Sequence, residues 1–143
     1  MIRYILCFLV FLPFSLGLWA QNTPRILIVY YSRTGNTQMV AEKLAEEFNA
    51  DIKRLIDKTG RTGPAGFIRA GKDAIAGNLT EIEPLKLNPQ DYDIILIGTP
   101  SWFGNVTPAV RTFVMQYDVS SRKIGLFGTT NKTGVENALN QLA

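Results

Sequence analysis

Residues Ile28–Leu44 read IVYYSRTGNTQMVAEKL: an apolar run, then five polar residues around one glycine, then a helical pattern. The apolar run extends back to Arg25 as RILIVYY, which is the pattern of a strand covered on both faces. Beyond the polar segment, Val40, Leu44 and Phe48 recur every four residues among Glu42, Lys43, Glu46 and Glu47. That spacing predicts an amphipathic helix over Thr37–Phe48 with those three apolar residues on its inner face. A turn from such a strand into such a helix aims backbone N–H groups, and the positive end of the helix, at whatever lies above the sheet edge. Ser32, Thr34, Asn36 and Thr37 add side-chain donors, and Gly35 lets the backbone come close. The loop is shaped for a phosphate.

The remaining elements alternate in the same way. DIILIG (Asp93–Gly98) repeats the buried-strand pattern, Ile52–Ile56 reads as a short strand, and KIGLFG (Lys123–Gly128) reads as a fourth. A helix is expected from Pro64, another from Pro108 with Thr107 as its N-cap, and a last one over Gly134–Leu142. Strand and helix in alternation predict a single α/β domain, a doubly wound parallel sheet that holds its ligand at the carboxyl ends of the strands.

Composition narrows the chemistry. The 143 residues include no histidine and a single cysteine, Cys7, so imidazole catalysis, disulfides, iron–sulfur clusters and the usual zinc sites are excluded, and no metal site is expected. The amino terminus, MIRYILCFLVFLPFSLGLWAQ, has one early charge, an apolar run over residues 4–20 and then polar residues. It is expected to be a signal peptide over 1–20, or a short membrane anchor, leaving 21–143 as the domain and placing the protein outside the cytoplasm. The domain then carries 14 Lys plus Arg against 12 Asp plus Glu. Near-neutral charge leaves no nucleic-acid footprint.

Neither GxGxxG nor GxxxxGK[ST] occurs in the first loop. GFIRAGKD (Gly66–Asp73) approaches the second motif but ends in Asp73 where a magnesium-binding hydroxyl is needed, so it is expected to be a surface helix with small residues.

Ile28–Leu44 resembles the FMN signature of the flavodoxin family, in which aliphatic residues and an aromatic precede Ser/Thr-x-Thr-Gly-x-Thr at the start of a helix. The resemblance implies that Ser32, Thr34, Gly35, Asn36 and Thr37 wrap the FMN phosphate, with Arg33 facing solvent. GTPSWFGNVTP (Gly98–Pro108) resembles the family's isoalloxazine loop, which implies flavin contacts from Thr99, Pro100, Ser101, Trp102, Phe103, Gly104 and Asn105. Trp102 is the expected stacking partner and Phe103 is expected to cap the core. A peptide beside Gly104 is expected to turn its carbonyl toward flavin N5 when the ring takes one electron and a proton. In the third loop, Thr129, Thr130 and Asn131 are expected on the pyrimidine side. That loop has no aromatic, which implies one stacking partner for the ring, and Lys132 brings a positive charge where the family is acidic.

The resemblance covers about residues 25–142 and implies a sheet ordered 2-1-3-4, with the family's fifth strand missing. The expected function is FMN-dependent electron transfer to a redox partner protein, with no catalytic side chain. The alternatives are an FMN-dependent NAD(P)H or quinone reductase and a truncated, non-catalytic binding module. Further expectations are membrane association through residues 4–20 and a homodimer formed through the exposed fourth strand.

Overall fold

The computed structural model describes residues 23–131 and 134–143. The expectations placed on the leader and on Lys132 therefore fall outside the described residues. Five elements build the first half: β1 (Ile26–Tyr30), α1 (Asn36–Phe48), β2 (Asp51–Arg54), α2 (Gly63–Ile75) and a 3-10 turn at Pro89–Asp91. β3 (Ile94–Pro100), α3 (Pro108–Gln116), β4 (Lys123–Thr129) and α4 (Val135–Asn140) complete it. The four strands form one sheet in the order β2-β1-β3-β4, and every pairing is parallel. This is the doubly wound arrangement and strand order expected from the sequence.

Both faces of β1 are sealed. Leu27 and Val29 enter a core shared with Ile95, Ile97, Val110, Phe113 and Ala138, while Ile28 and Tyr30 pack with Ala41 on the opposite face. Alternate side chains of one strand therefore serve two cores, which is why the run is continuously apolar instead of alternating. On the α1 face, β3 and β4 interlock by close approach: a Cβ on Gly98 would lie 2.2 Å from the Phe127 ring, and one on Gly125 would lie 2.5 Å from Leu96 Cδ2. The two glycines leave the space that these larger side chains fill.

Some boundaries and faces differ from the expectations. β2 covers Asp51–Arg54 rather than Ile52–Ile56, because the chain turns inward at the fully buried Leu55. α1 buries Thr37 and Ala41, and Phe48 is 48% exposed at its last turn. The helix sits close against the sheet, where small side chains fit. Thr107 does occupy the N-cap of α3, but its hydroxyl makes no cap bond and lies 3.2 Å from that of Thr99.

The register brings three strand ends together. Tyr30 pairs with Gly98 and Pro100 with Thr129, so the loops after β1, β3 and β4 emerge side by side. Tyr31 N–H donates to the Gly98 carbonyl at 3.1 Å, and Ser101 N–H to the Thr129 carbonyl at 2.8 Å.

Candidate functional site

The loop after β1 is held from below. Ser32 is buried, and its Oγ accepts the Gly35 N–H at 3.1 Å. Gly35 itself has φ +93°, a left-handed conformation that glycine adopts without a steric penalty. From β2, Arg54 Nη2 donates to the Ser32 carbonyl at 2.8 Å, which sets a guanidinium behind the loop. The first intrahelical bond of α1 runs from Met39 N–H to the Gly35 carbonyl. The N–H groups of Asn36, Thr37 and Gln38 therefore precede the helical ladder and have no acceptor within it. Thr34 and Asn36 are exposed, and Thr37, 1% exposed, places its Oγ1 2.7 Å from Thr129 Oγ1 across the cleft floor.

The loop after β3 is a tight hairpin. Trp102 and Asn105 exchange both backbone hydrogen bonds at 3.0 Å, around Phe103 at φ +52° and Gly104 at φ +76°. Two successive positive φ values are what a type I′ turn requires. Asn105 Nδ2 donates to the Phe103 carbonyl at 2.8 Å. α4 braces the hairpin from the side: Asn137 Nδ2 donates to the Gly104 carbonyl at 2.6 Å, and Ser101 Oγ to the Gly134 carbonyl at 3.2 Å. The Gly104 carbonyl is thus held by Asn137.

One aromatic expectation changes at this loop. Phe103 does not cap the core. It is 65% exposed and leans on α2, 6.2 Å from the Phe67 ring, where a Cβ on Gly71 would lie 2.5 Å from its ring. The positive φ at Phe103 turns its side chain outward over that helix. Trp102 lines the cleft and also packs partly against the core, edge-on to Tyr31 with ring centroids 5.6 Å apart. Burial raises the Tyr31 phenol above its ordinary pKa, and the charge of Asp57 adds to the effect, so Tyr31 stays neutral. Nor does Arg33 project into solvent. It is half-buried, with its guanidinium 5.1 Å from the Phe67 ring centroid.

A cleft of about 620 Å³ lies between these loops, a volume typical of small-molecule sites. Arg33, Thr34, Asn36 and Thr37 line one end, and Pro100, Ser101, Trp102, Phe103 and Gly104 line the side. Thr129, Thr130 and Asn131 line the cleft beside Thr37. Ser32, Gly35, Thr99 and Asn105 stand behind the lining: Thr99 is wholly buried and bonded to Thr107, and Asn105 closes the hairpin. They shape the site without facing it.

The sequence reading missed the α2 wall, made of Phe67, Ala70 and Gly71, and the contribution of Gly134. Gly66–Asp73 is the expected surface helix with small residues, exposing Phe67, Ile68, Arg69 and Lys72. Gly66, Ala70, Gly71 and Ala74 form its buried face, and Gly66 sits against the backbone of Arg61. The signal was present in the small residues at helical spacing beside an aromatic, but nothing local says that they face a cleft. Phe67 and Phe103 also add aromatic surface beyond the one stacking partner expected.

Among the described residues no group of His, Cys, Asp or Glu could hold a metal. Of the described residues lining the cleft, only Arg33 is ionisable. The donor set at one end and the aromatic, largely apolar walls beside it fit a planar cofactor with a phosphate tail.

Known proteins share this fold. A flavoprotein of Lactobacillus acidophilus NCFM, crystallised in complex with FMN, superposes with a TM-score of 0.72 at 27% identity, over 83% of this chain and 83% of that one. The apo form of the Lactobacillus flavoprotein, solved by NMR, gives 0.64 at 26% identity over 83% and 82%. A WrbA-like flavodoxin of Agrobacterium tumefaciens shares the fold, with a TM-score of 0.53 at 22% identity over 83% and 69%. The flavodoxin family model matches residues 69–143, just over half of the sequence, from the cleft wall on α2 to the last residue. The chain belongs to the flavodoxin family.

Proposed function

We propose that this protein binds FMN in the cleft and uses it to carry electrons. One observation carries the reading: the three adjacent loops join a phosphate-type donor set to aromatic walls beside it. Thr34, Asn36 and Thr37, with the free N–H groups at the start of α1, would hold the phosphate. Arg54, behind the loop, favours a dianion there without occupying the cleft. Trp102, Phe103 and Phe67 would bound the ring, and Thr129, Thr130 and Asn131 would meet its polar edge.

Bound FMN would supply the redox chemistry, and the polypeptide would set its potential and its access. The cleft offers no carboxylate, imidazole, thiol or amine among its described lining residues, so no proton transfer is assigned to a side chain. What the protein does is position the cofactor. The hairpin and α4 fix the ring loop, and the Arg54 contact fixes the phosphate loop, so little ordering remains to be done on binding.

The test separates the phosphate from the ring. In a fluorescence titration of the full chain, Thr34→Ala combined with Thr37→Ala removes two hydroxyls expected to bond a charged group, each contributing about 1.5–3 kcal/mol. FMN affinity should fall by roughly two orders of magnitude or more, while riboflavin binding changes little. Equal losses for the two ligands would refute the phosphate assignment.

A further inference from the structure

We infer that the outer side of α2, together with Phe103, is the docking surface for an acidic protein partner that exchanges electrons at the adjoining cleft. The inference rests on the FMN reading above and names the partner class for the same site.

The apolar part of this surface is contiguous. At about 100° per residue, Phe67, Gly71, Ile75, Ile68 and Lys72 follow one another around α2, from the cleft rim to the outside. Phe103 lies on Gly71 and beside Phe67, so it continues the same surface onto the ring loop. The four large apolar side chains are half or more exposed: Phe67 50%, Ile68 59%, Ile75 62% and Phe103 65%. The small residues of α2 are the ones it buries. An amphipathic helix that satisfies its core with glycine and alanine has no packing need for isoleucine and phenylalanine outside. Clustered exposure of this kind, beside a site, marks an interaction surface.

Charge selects the partner. Arg33 flanks the patch at Phe67 and Lys72 flanks it at Ile68, and neither forms an ion pair among the described residues. Asp73 is the one carboxylate in α2, and it is engaged by Arg61 Nη1 at 2.6 Å and Asn78 Nδ2 at 3.0 Å. The patch therefore presents uncompensated positive charge around an apolar centre. A partner with acidic groups around its own redox centre would be steered to it and a basic one repelled. A second copy of this chain fits poorly, because a two-fold contact would bring two patches of the same positive charge together.

The experiment uses the full chain, isotope-labelled and loaded with FMN. It is titrated with a plant-type ferredoxin, a small acidic iron–sulfur protein, and separately with the basic cytochrome c. Ferredoxin should shift the amide resonances of Phe67, Ile68, Lys72, Ile75 and Phe103, with an affinity that weakens as salt is raised. Lys72→Glu should weaken that binding at least about tenfold, and Lys72→Arg should retain it. Shifts confined to another face, equal binding of cytochrome c, or no change in Lys72→Glu would each overturn the inference. So would shifts at these same residues on concentrating the protein alone, which would make a second copy the occupant. An FMN titration of the same sample keeps the two readings apart. Normal FMN binding without ferredoxin binding overturns the docking surface alone, whereas failure to bind FMN overturns the cofactor reading.

Discussion

Replacing Asp57 by asparagine should destabilise the protein by about 3 kcal/mol, at the lower end of what breaking a buried ion pair costs. Arg61 Nε donates to Asp57 Oδ2 at 2.6 Å, and both side chains are only 4% exposed. The other carboxylate oxygen is also filled, accepting Thr59 N–H at 2.8 Å and Thr80 Oγ1 at 2.6 Å. An asparagine has one acceptor for these two sites. If its oxygen keeps Thr59 and Thr80, its amide N–H faces the Arg61 N–H; if it turns to Arg61, it faces Thr59 instead. One bond is lost in either case, and a buried guanidinium loses one of its two carboxylates. Asp73, 2.6 Å from Nη1, still compensates it, which is why the lower end applies. For a domain of this size the melting temperature should fall by roughly 10 °C. The damage should reach the cleft, because a Cβ on Gly66 would lie only 2.4 Å from the Arg61 carbonyl carbon and α2 carries Phe67 and Gly71. Differential scanning calorimetry and an FMN titration on Asp57→Asn measure both effects. A melting temperature within about 2 °C of the wild type, with unchanged FMN affinity, would show that the triad neither holds α2 nor supports the site.

Two further outcomes follow from the same geometry. The hydrogen bond from Arg61, followed by that from Asn78, holds the Asp73 carboxyl below the ordinary carboxylate value. A depressed folded pKa gives stability that is complete above the unfolded value, about 3.9, and is lost as pH falls through the folded one. Acid titration of the melting temperature should therefore show a decline below about pH 4 that is shallower in Asp73→Asn; equal slopes would contradict it. At the ring loop, Trp102→Ala removes the aromatic that stands between Tyr31 and the cleft. It should weaken FMN by about 0.5–1.5 kcal/mol beyond the lost area and raise the fluorescence of the flavin that remains bound. Wild-type affinity would put the ring against Phe67 and Phe103 alone.

The sequence by itself determined the β1–loop–α1 unit, the alternation of strands and helices, and the three loops that form the site. These are local properties. A continuous apolar run must be buried on both faces, a hydroxyl- and glycine-rich turn must precede the helix, and each signal is complete within about fifteen residues. The ladder order β2-β1-β3-β4 then follows from the family resemblance that those loops carry. What each side chain near the cleft does was decided by tertiary structure. Phe103 reads as a core residue until the positive φ of its turn swings it onto Gly71, 32 positions earlier in the chain. Arg33 reads as a solvent-facing loop residue until α2 brings Phe67 beneath its guanidinium. Arg61 is buried because Asp57 and Asp73 close on it from both sides. Gly66–Asp73 reads as a surface helix and is one, but that its small residues let it lie close to a backbone and an aromatic ring is set by the tertiary structure. In each case the deciding partner lies on another element. Which surfaces meet depends on the crossover connections that pack α2 beside the end of β3, and no local pattern encodes that contact.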